Sequence, residues 1–256
     1  MDFRNAAEQA ARLGGEILES WGERFTAREK SPANLVTEAD LASQAAIVEF
    51  LQARFPDHGF LGEEENLKTR GTAPYRWVID PLDGTSNYVH RFPYYAVSIG
   101  LEENGRVIAG AIYDPNRDEM FSAAAGAGAT MNGQPLQVSQ ATTLNRAMCM
   151  ASLPVKVTRE HPAVQKFLEI LEVAQTVQRT GSAALNLCAV ASGRIDAFWS
   201  QSLKPWDMAA GILIVREAGG TVTKTAGGEF DLELPDLLAT NGTGVHAELV
   251  AHFLKG

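Results

Sequence analysis

Two aspartates, Asp80 and Asp83, stand three residues apart at the end of the apolar run Trp77-Val78-Ile79, with Pro81, Leu82 and Gly84 shaping the chain around them. A strand end is a rigid platform, and Pro81 fixes its own φ, so the turn is pre-formed. Such a loop can aim both carboxylates and the Leu82 carbonyl at one point. Oxygen ligands of this kind suit a hard cation such as Mg²⁺. Gly84 and the residues after it are expected to start a helix, whose free backbone N–H groups can hold a phosphate. Local chemistry alone also suits an Asp-Pro-x-Asp-Gly surface turn. The Asp-x-Asp-x-Asp-Gly calcium loop is not matched, which excludes an EF-hand.

Two further acids lie far from this loop in the chain. Glu63 opens the acidic run Glu63-Glu64-Glu65, and Asp207 opens the helical stretch Asp207-Met208-Ala209-Ala210-Gly211. Each has an ordinary reading, because acidic runs are commonly solvated faces and Asp is a favoured helix N-cap. Asp40, in Thr37-Glu38-Ala39-Asp40, also reads as a first-turn acid favoured by the helix dipole. Gathered in one place, four carboxylates would repel by several kcal/mol per pair at an effective dielectric of about 20. A cluster of that kind makes sense only with cations between its members. Two divalent ions about 4 Å apart can activate a water and stabilise a leaving oxygen. No Ser-His-Asp arrangement competes. His90 reads as a hydrogen-bonded structural residue, and His58, His161, His246 and His252 lack ligand spacing.

The elements that must position these groups follow from periodicity. Helices are predicted over about 3–21, from Phe3, Ala7, Ala10, Leu13, Ile17 and Trp21, and over 37–53, from Leu41, Ala45, Val48 and Phe55. A Lys30-Ser31-Pro32 break separates them, and Gly59-Phe60-Leu61-Gly62 ends the second unit. Strands are predicted at 77–79, 95–101, 107–113 and 119–123, with turns at Glu103-Asn104-Gly105 and Asn132-Gly133. Beyond residue 140, strands at 147–152, 176–179, 195–199 and 220–223 interleave with helices at 162–173, 182–191, 207–218 and 244–254. That alternation indicates an α/β half. The expected division is an α+β N-terminal half, 1–140, carrying Glu63 and the 80–85 loop, and an α/β C-terminal half, 141–256, supplying Asp207 and the substrate pocket.

At 256 residues, 45% hydrophobic and 21% charged, the chain has the composition of an ordinary globule large enough for a substantial core. A net charge of −9 argues against non-specific DNA or RNA binding, which needs a basic surface. It leaves a small anionic substrate open, since bound cations reverse the field locally. Cys149 and Cys188 sit in apolar surroundings and read as buried thiols. No secretory segment is visible, and no apolar run approaches the ~20 residues needed to span a bilayer. A cytoplasmic location is expected.

Taken together, Gly62-Glu63-Glu64, Trp77 with the block Asp80-Pro81-Leu82-Asp83-Gly84-Thr85-Ser86-Asn87-Tyr88, and Trp206-Asp207 through Arg216-Glu217-Ala218-Gly219-Gly220 closely resemble the inositol monophosphatase signatures. Val89-His90-Arg91-Phe92-Pro93, Ala96-Val97-Ser98-Ile99-Gly100 and Gly181-Ser182-Ala183-Ala184-Leu185-Asn186 extend the resemblance over nearly the whole chain. It implies an α/β (α+β) fold layered as an αβαβα sandwich, and a Mg²⁺-dependent, lithium-sensitive, homodimeric phosphomonoesterase. By that resemblance Glu63, Asp80 and the Leu82 carbonyl hold one magnesium, while Asp80, Asp83 and Asp207 hold a second. A third, weaker ion sits on the Glu63 side. Thr85 orients the attacking water with Asp40 as its acidic partner, and Gly84 and Ala183 border the substrate.

Inositol-selective members resembling this chain carry a Glu seven residues before the metal-binding Asp; here that position is Ser200. A serine offers no two-oxygen charged acceptor, so polyol recognition is expected to be weakened or rearranged, or carried by Gln201. The resemblance therefore also admits histidinol phosphate, an amino-alcohol ester, as the nearest rival substrate. Fructose 1,6-bisphosphate and 3′-phosphoadenosine 5′-phosphate are hydrolysed in the wider superfamily, and Lys204, Arg194 and Arg179 are the cations available for a second phosphate. A reading of another class is a regulatory protein associated with RNA polymerase. The intact set Glu63, Asp80, Asp83, Thr85 and Asp207 favours catalysis.

Overall fold

The first helix, α1 (Phe3–Trp21), is capped by Asp2, whose side chain accepts from the Asn5 N–H, and buries Ala6, Ala7, Ala10, Ala11 and Leu18. A short hairpin, β1 (Arg28–Ser31) and β2 (Asn34–Val36), leads into α2 (Glu38–Arg54), which starts at Thr37 in a capping box closed by Asp40. In this computed structural model the described residues are 2–255 apart from 23, 32, 33, 65 and 66. Pro32 and Glu65, part of the expected break and acidic run, lie outside them.

The next segment builds a large sheet from β3 (Gly59–Gly62), β4 (Lys68–Thr69), β5 (Tyr75–Asp83), β6 (Ala96–Glu103), β7 (Arg106–Asp114), β8 (Glu119–Ala124), β9 (Ala129–Met131) and β10 (Gln134–Pro135), with the short α3 (Thr85–Val89) between β5 and β6. Its order is β10-β9-β8-β7-β6-β5-β3-β4. Every pairing is antiparallel except β3 with β5. Both Asn-Gly turns, at 104–105 and 132–133, adopt the left-handed backbone that two-residue hairpin loops require.

The rest of the chain forms a second sheet, β11 (Met148–Ser152), β12 (Thr176–Gln178), β13 (Ala197–Ser200), β14 (Thr221–Thr223) and β15 (Leu237–Thr240), in the order β12-β11-β13-β15-β14. Between these strands run α4 (Pro162–Leu171), α5 (Ala183–Ala191) and α6 (Pro205–Glu217), and α7 (Gly244–Leu254) follows β15.

Strand alternation explains the layering. Trp77 and Ile79 face α1 and α2, sharing a core with Leu18, Ile47 and Leu51. Val78 faces the other way, with Ile112 and Phe121, into a core with α5 and α6 that also holds Phe198 and Ala239 of the second sheet. Cys149, Ala197 and Trp199 point to the far side, against Ile170 of α4 and Val245 and Leu249 of α7. The result is the five-layered αβαβα sandwich. Gly100 and Gly110 pair across β6 and β7 and let α6 lie directly on the sheet. A Cβ at Gly100 would stand 2.8 Å from Ala209 Cβ, and one at Gly110 would stand 2.9 Å from Ala210 Cα. This contact carries the start of α6 to the sheet.

Three expectations are corrected here. Gly59–Gly62 is a buried strand, not the close of a helical unit. Helix α6 starts at Pro205, whose missing N–H suits the first helical turn, so Asp207 is its third residue and not its cap. Leu237–Thr240, unmarked in the sequence reading, is a fully buried strand. Both cysteines are buried and free. Among the described residues no helix is long and apolar enough to cross a membrane.

Candidate metal centre and its cleft

Residues three apart on a regular strand point to opposite faces. Asp80 and Asp83 escape this rule because β5 bulges between them. Asp80 pairs with Ser98 and Asp83 with Ala96, so three steps on β5 match two on β6. Both aspartates therefore project on one face. Pro81, lacking an N–H, loses no ladder bond at such a bulge. Its carbonyl accepts a hydrogen bond from Ser43 Oγ at 3.1 Å. Asp80 Oδ1 accepts from the Leu82 N–H at 3.0 Å. Asp80 Oδ2 is buried with no hydrogen-bond partner among the described residues.

Glu63 arrives through the parallel pair. Because β3 and β5 run the same way, with Gly62 beside Ile79, both strands end at the same edge of the sheet. The Glu63 N–H donates to the Ile79 carbonyl at 3.2 Å, carrying the pairing one residue further. Gln44 of α2 clamps the next residue, accepting from the Glu64 N–H at 3.0 Å and donating to the Glu64 carbonyl at 3.1 Å. Replacing Gln44 by Ala strands two buried backbone groups. The expected loss is about 1–3 kcal/mol of stability, read by urea unfolding, together with weaker metal binding.

The C-terminal segment supplies the remaining acid and a brace. Asp207 Oδ2 accepts from the Lys204 N–H at 2.7 Å, which fixes its carboxylate at the first turn of α6. Asp83 Oδ2 accepts from Ser182 Oγ at 2.5 Å and from the Ala184 N–H at 2.7 Å, at the positive end of α5. Oxygens of Asp80, Asp83 and Asp207 all lie within 4.8 Å of one another.

The electrostatics follow from this crowding. Burial, then repulsion from Glu63, Asp83 and Asp207, pushes the Asp80 carboxyl well above the usual carboxylate range. Burial raises Asp83 to about 6, against the lowering effect of the Ser182 hydroxyl and the α5 N–H groups. Asp207 is raised to about 8, by burial first and then by the Asp83 charge. An all-oxygen donor set with an orphaned buried carboxylate oxygen fits a hard divalent cation.

Thr85 and Asp40 form a second device beside the acids. Gly84 precedes α3 at φ 95, and a Cβ there would stand 3.0 Å from the Tyr94 carbonyl. The turn aims Thr85 Oγ1 at Asp40 Oδ1, 3.3 Å away, and at the Leu82 carbonyl, 3.2 Å away. Asp40 is fully buried, and its Oδ2 accepts from the Thr37 N–H at 2.9 Å and the Thr37 hydroxyl at 2.5 Å. Its capping role and its contact with Thr85 thus use different oxygens.

These groups line a cleft of about 560 Å³ bounded by the four acids, Leu82, residues 84–87, Leu153, Val155, residues 179–181. Asn87 knits its two sides, donating to the Tyr94 carbonyl at 2.6 Å and the Thr180 carbonyl at 2.9 Å. Ala183 is buried at the start of α5, next to the Asp83 brace. Ser200 is fully buried at the end of β13, where its Oγ accepts from the Ser202 N–H at 3.3 Å, and it is not among the cleft residues. Gln201 is engaged with Thr225 at 3.1 Å. His90, expected as a hydrogen-bonded structural residue, is exposed at the end of α3 and its side chain makes no hydrogen bond among the described residues, whereas His58 stacks on Phe55 and His161 caps α4.

The sequence reading missed Ser43, Gln44, Asn87 and Ser182. A signal existed for the first two. Asp40, Ser43 and Gln44 recur at three- and four-residue spacing on a helix whose other buried residues, Ala39, Ile47 and Leu51, are apolar, which places three polar side chains on the inward face. All three are buried.

A model of the Inositol monophosphatase family matches residues 2–255 of the chain. An inositol-1-monophosphatase of Synechocystis sp. is 42% identical over 246 residues, covering 95% of this chain and 85% of that one. A putative Nus factor SuhB of Neisseria meningitidis serogroup B is 39% identical over 246 residues, 93% of each chain. The crystal structure of the extragenic suppressor protein suhB from Bartonella henselae superposes with a TM-score of 0.92 at 36% identity, over 100% of both chains.

Proposed function

Because the chain belongs to the inositol monophosphatase family over nearly its whole length, we propose that it is a Mg²⁺-dependent phosphomonoesterase hydrolysing inositol monophosphate or a similar small polyol phosphate. One observation carries the reading. The carboxylates of Asp80 and Asp83, on one strand, meet that of Asp207, more than a hundred residues further on, within 4.8 Å, and Asp80 Oδ2 is buried without a hydrogen-bond partner among the described residues.

Asp80, Glu63 and the Leu82 carbonyl would hold one ion, and Asp80, Asp83 and Asp207 a second, with a third, weaker one beside Glu63. When bound, these ions supply charge neutralisation at the phosphoryl oxygens and lower the pKa of a coordinated water. The chain's own groups then orient the reaction. Backbone N–H groups of Gly84 and Thr85 receive the ester phosphate. Thr85 Oγ1, 3.3 Å from Asp40, gives its proton to Asp40 and accepts one from the attacking water. The water oxygen bonds to phosphorus as the ester P–O bond breaks, and the departing alkoxide takes up a proton from solvent in the cleft. Thr85→Val keeps the shape and removes this relay. It is expected to lower kcat by about 10²–10³, while a Mg²⁺-induced rise in melting temperature survives. An unchanged kcat would remove Thr85 from the mechanism.

The experiment for the whole reading is phosphate release across a panel of small monoesters, including inositol 1-phosphate and histidinol phosphate, with and without Mg²⁺. Turnover of none of them, or turnover indifferent to Mg²⁺, sinks it. Inhibition by Li⁺, a homodimer in sedimentation and a cytoplasmic location complete the proposal. The relatives named as Nus factors favour a second, binding role toward RNA polymerase. Recovery of polymerase subunits with an inactive Asp83→Asn protein separates that role from catalysis.

A further inference from the structure

Helix α5 reads Ala-Ala-Leu-Asn-Leu-Cys-Ala-Val-Ala, and every one of these residues is buried. Asn186 is its single amide and is fully buried. The Asn186 Oδ1 accepts two hydrogen bonds, from Thr180 Oγ1 at 2.6 Å and from the Tyr94 hydroxyl at 3.0 Å. Its Nδ2 is buried with no partner among the described residues. A buried donor left unsatisfied costs stability, a cost that an apolar residue of similar volume would avoid. What the amide supplies in return is placement of the two groups it accepts from.

Those two bonds close a ring. Asn87 of α3 donates to the backbone carbonyls of the same two residues, Tyr94 and Thr180. Each is thus held twice, by its carbonyl to Asn87 and by its hydroxyl to Asn186. Asn87 and Tyr94 precede β6, whereas Thr180 and Asn186 follow β12, so the ring ties together segments that are far apart in the chain.

The ring bears on both walls of the cleft, which Asn87 and Thr180 line. On one wall the Tyr94 carbonyl packs against Gly84, the residue that aims Thr85. Helix α3 has further anchorage there, since the Tyr88 hydroxyl donates to the Leu18 carbonyl at 2.7 Å. On the other wall, residues 179–182 join β12 to α5, held by the ring and by the bond from Ser182 to Asp83. Gly181, at φ 92, lies so close to Asn87 that a Cβ would stand 3.0 Å from its Nδ2. Opening the ring therefore frees the wall of residues 180–183 and leaves the α3 wall in place.

We propose that Asn186, which does not itself line the cleft, is a positioning residue for the alcohol portion of the substrate. Together with Asn87 it fixes Thr180 from two sides, and so sets the gap between the α3 wall, which receives the ester phosphate, and the wall of residues 180–183, which borders the alcohol. A misplacement of about 1 Å at such a wall is enough to weaken a bound state severely. The assignment of phosphate and alcohol to the two walls rests on the phosphomonoesterase reading above.

The test compares Thr180→Val, which keeps the shape and removes one hydroxyl of the ring, with Thr180→Ser, which restores the hydroxyl. Measured are kcat and KM for inositol 1-phosphate, Ki for inorganic phosphate, and calorimetric binding of both with Ca²⁺ replacing Mg²⁺. For Thr180→Val the expected result is a rise of about tenfold in KM and in Kd for the ester. The kcat and the phosphate Ki should stay within about threefold of wild type, a split that general loosening of the fold does not produce. Thr180→Ser should return KM most of the way. In an Asn186→Ala background Thr180→Val should add nothing further, because the bond is already gone; if Asn186→Ala fails to fold, the Val and Ser pair decides alone. An unchanged ester KM and Kd in Thr180→Val, or a phosphate Ki that rises in step with them, overturns the positioning role. If the wild type binds the ester but hydrolyses none, the phosphomonoesterase reading fails by itself, and the two binding constants still decide what Asn186 does.

Discussion

Asp80→Asn is expected to lower kcat by a factor on the order of 10³ or more, with the fold intact. Asp80 is the residue whose two oxygens have separate fates, Oδ1 tied to the Leu82 N–H and Oδ2 buried and unpartnered. Lewis-acid stabilisation of a phosphoryl transition state is worth several kcal/mol, and each ~1.4 kcal/mol is tenfold in rate. An amide cannot bridge two cations as a carboxylate does. The substitution removes one negative charge from a crowded cluster, and the new Nδ2 gains carboxylate acceptors within reach. Metal-free Asp80→Asn protein should therefore melt no lower than metal-free wild type. Adding Mg²⁺ should raise its melting temperature less than it raises that of the wild type. Retained turnover, or collapse of the fold, contradicts the bridging role.

The second large effect is a pH dependence of stability that reverses when metal is added. Unfolded aspartates titrate near ~3.9. In the fold Asp83 is raised to about 6 and Asp207 to about 8, mainly by burial, and Asp80 is raised as well. Over this window the native state binds more protons than the unfolded chain, so its stability falls as pH rises. The contribution is fully present below the unfolded pKa and is lost as pH passes through about 6 and then about 8. With a chelator, the melting temperature should decline from pH 5 to 8.5. Divalent ions take the place of those protons, so metal affinity rises over the same range. At a hundredfold excess over Kd, Mg²⁺ adds about 2.7 kcal/mol, or roughly 5–10 °C for a domain of this size. Melting curves that are flat with pH in chelator, and unmoved by Mg²⁺, would show that the acids do not share an ion.

Much of this arrangement is legible in the chain because its signals are local. Hydrophobic spacing marks α1, and Asn-Gly marks the turn of the β6–β7 hairpin; α2 forms where it was expected but buries Ala39, Asp40, Ser43, Gln44, Ile47 and Leu51, leaving Ala45 of the expected apolar face exposed. The resemblance pointed to the 80–85 loop and to Asp207, whose carboxylates the fold brings together. Non-local features stayed hidden. Nothing in Gly59-Phe60-Leu61-Gly62 says that it pairs parallel to β5, although that pairing delivers Glu63. The bulge that turns Asp80 and Asp83 to one face is a register shift against β6, invisible in either strand alone. Ser182 reads as a helix cap, which it is, yet it also holds Asp83 from 99 residues away. The Ser200 position falls inside the protein because β13 is buried between α5 and the outer helices, a property of the second sheet as a whole.

The most direct measurement is a crystal soaked in Mn²⁺ and recorded at its anomalous edge. The account predicts a peak at ordinary coordination distance, about 2.1 Å, from Asp80 Oδ2, with oxygens of Asp83 and Asp207 around the same ion and Glu63 facing a neighbouring one. Carboxylates turned away from each other, with Asp80 Oδ2 bonded to protein and no anomalous density among them, would contradict it.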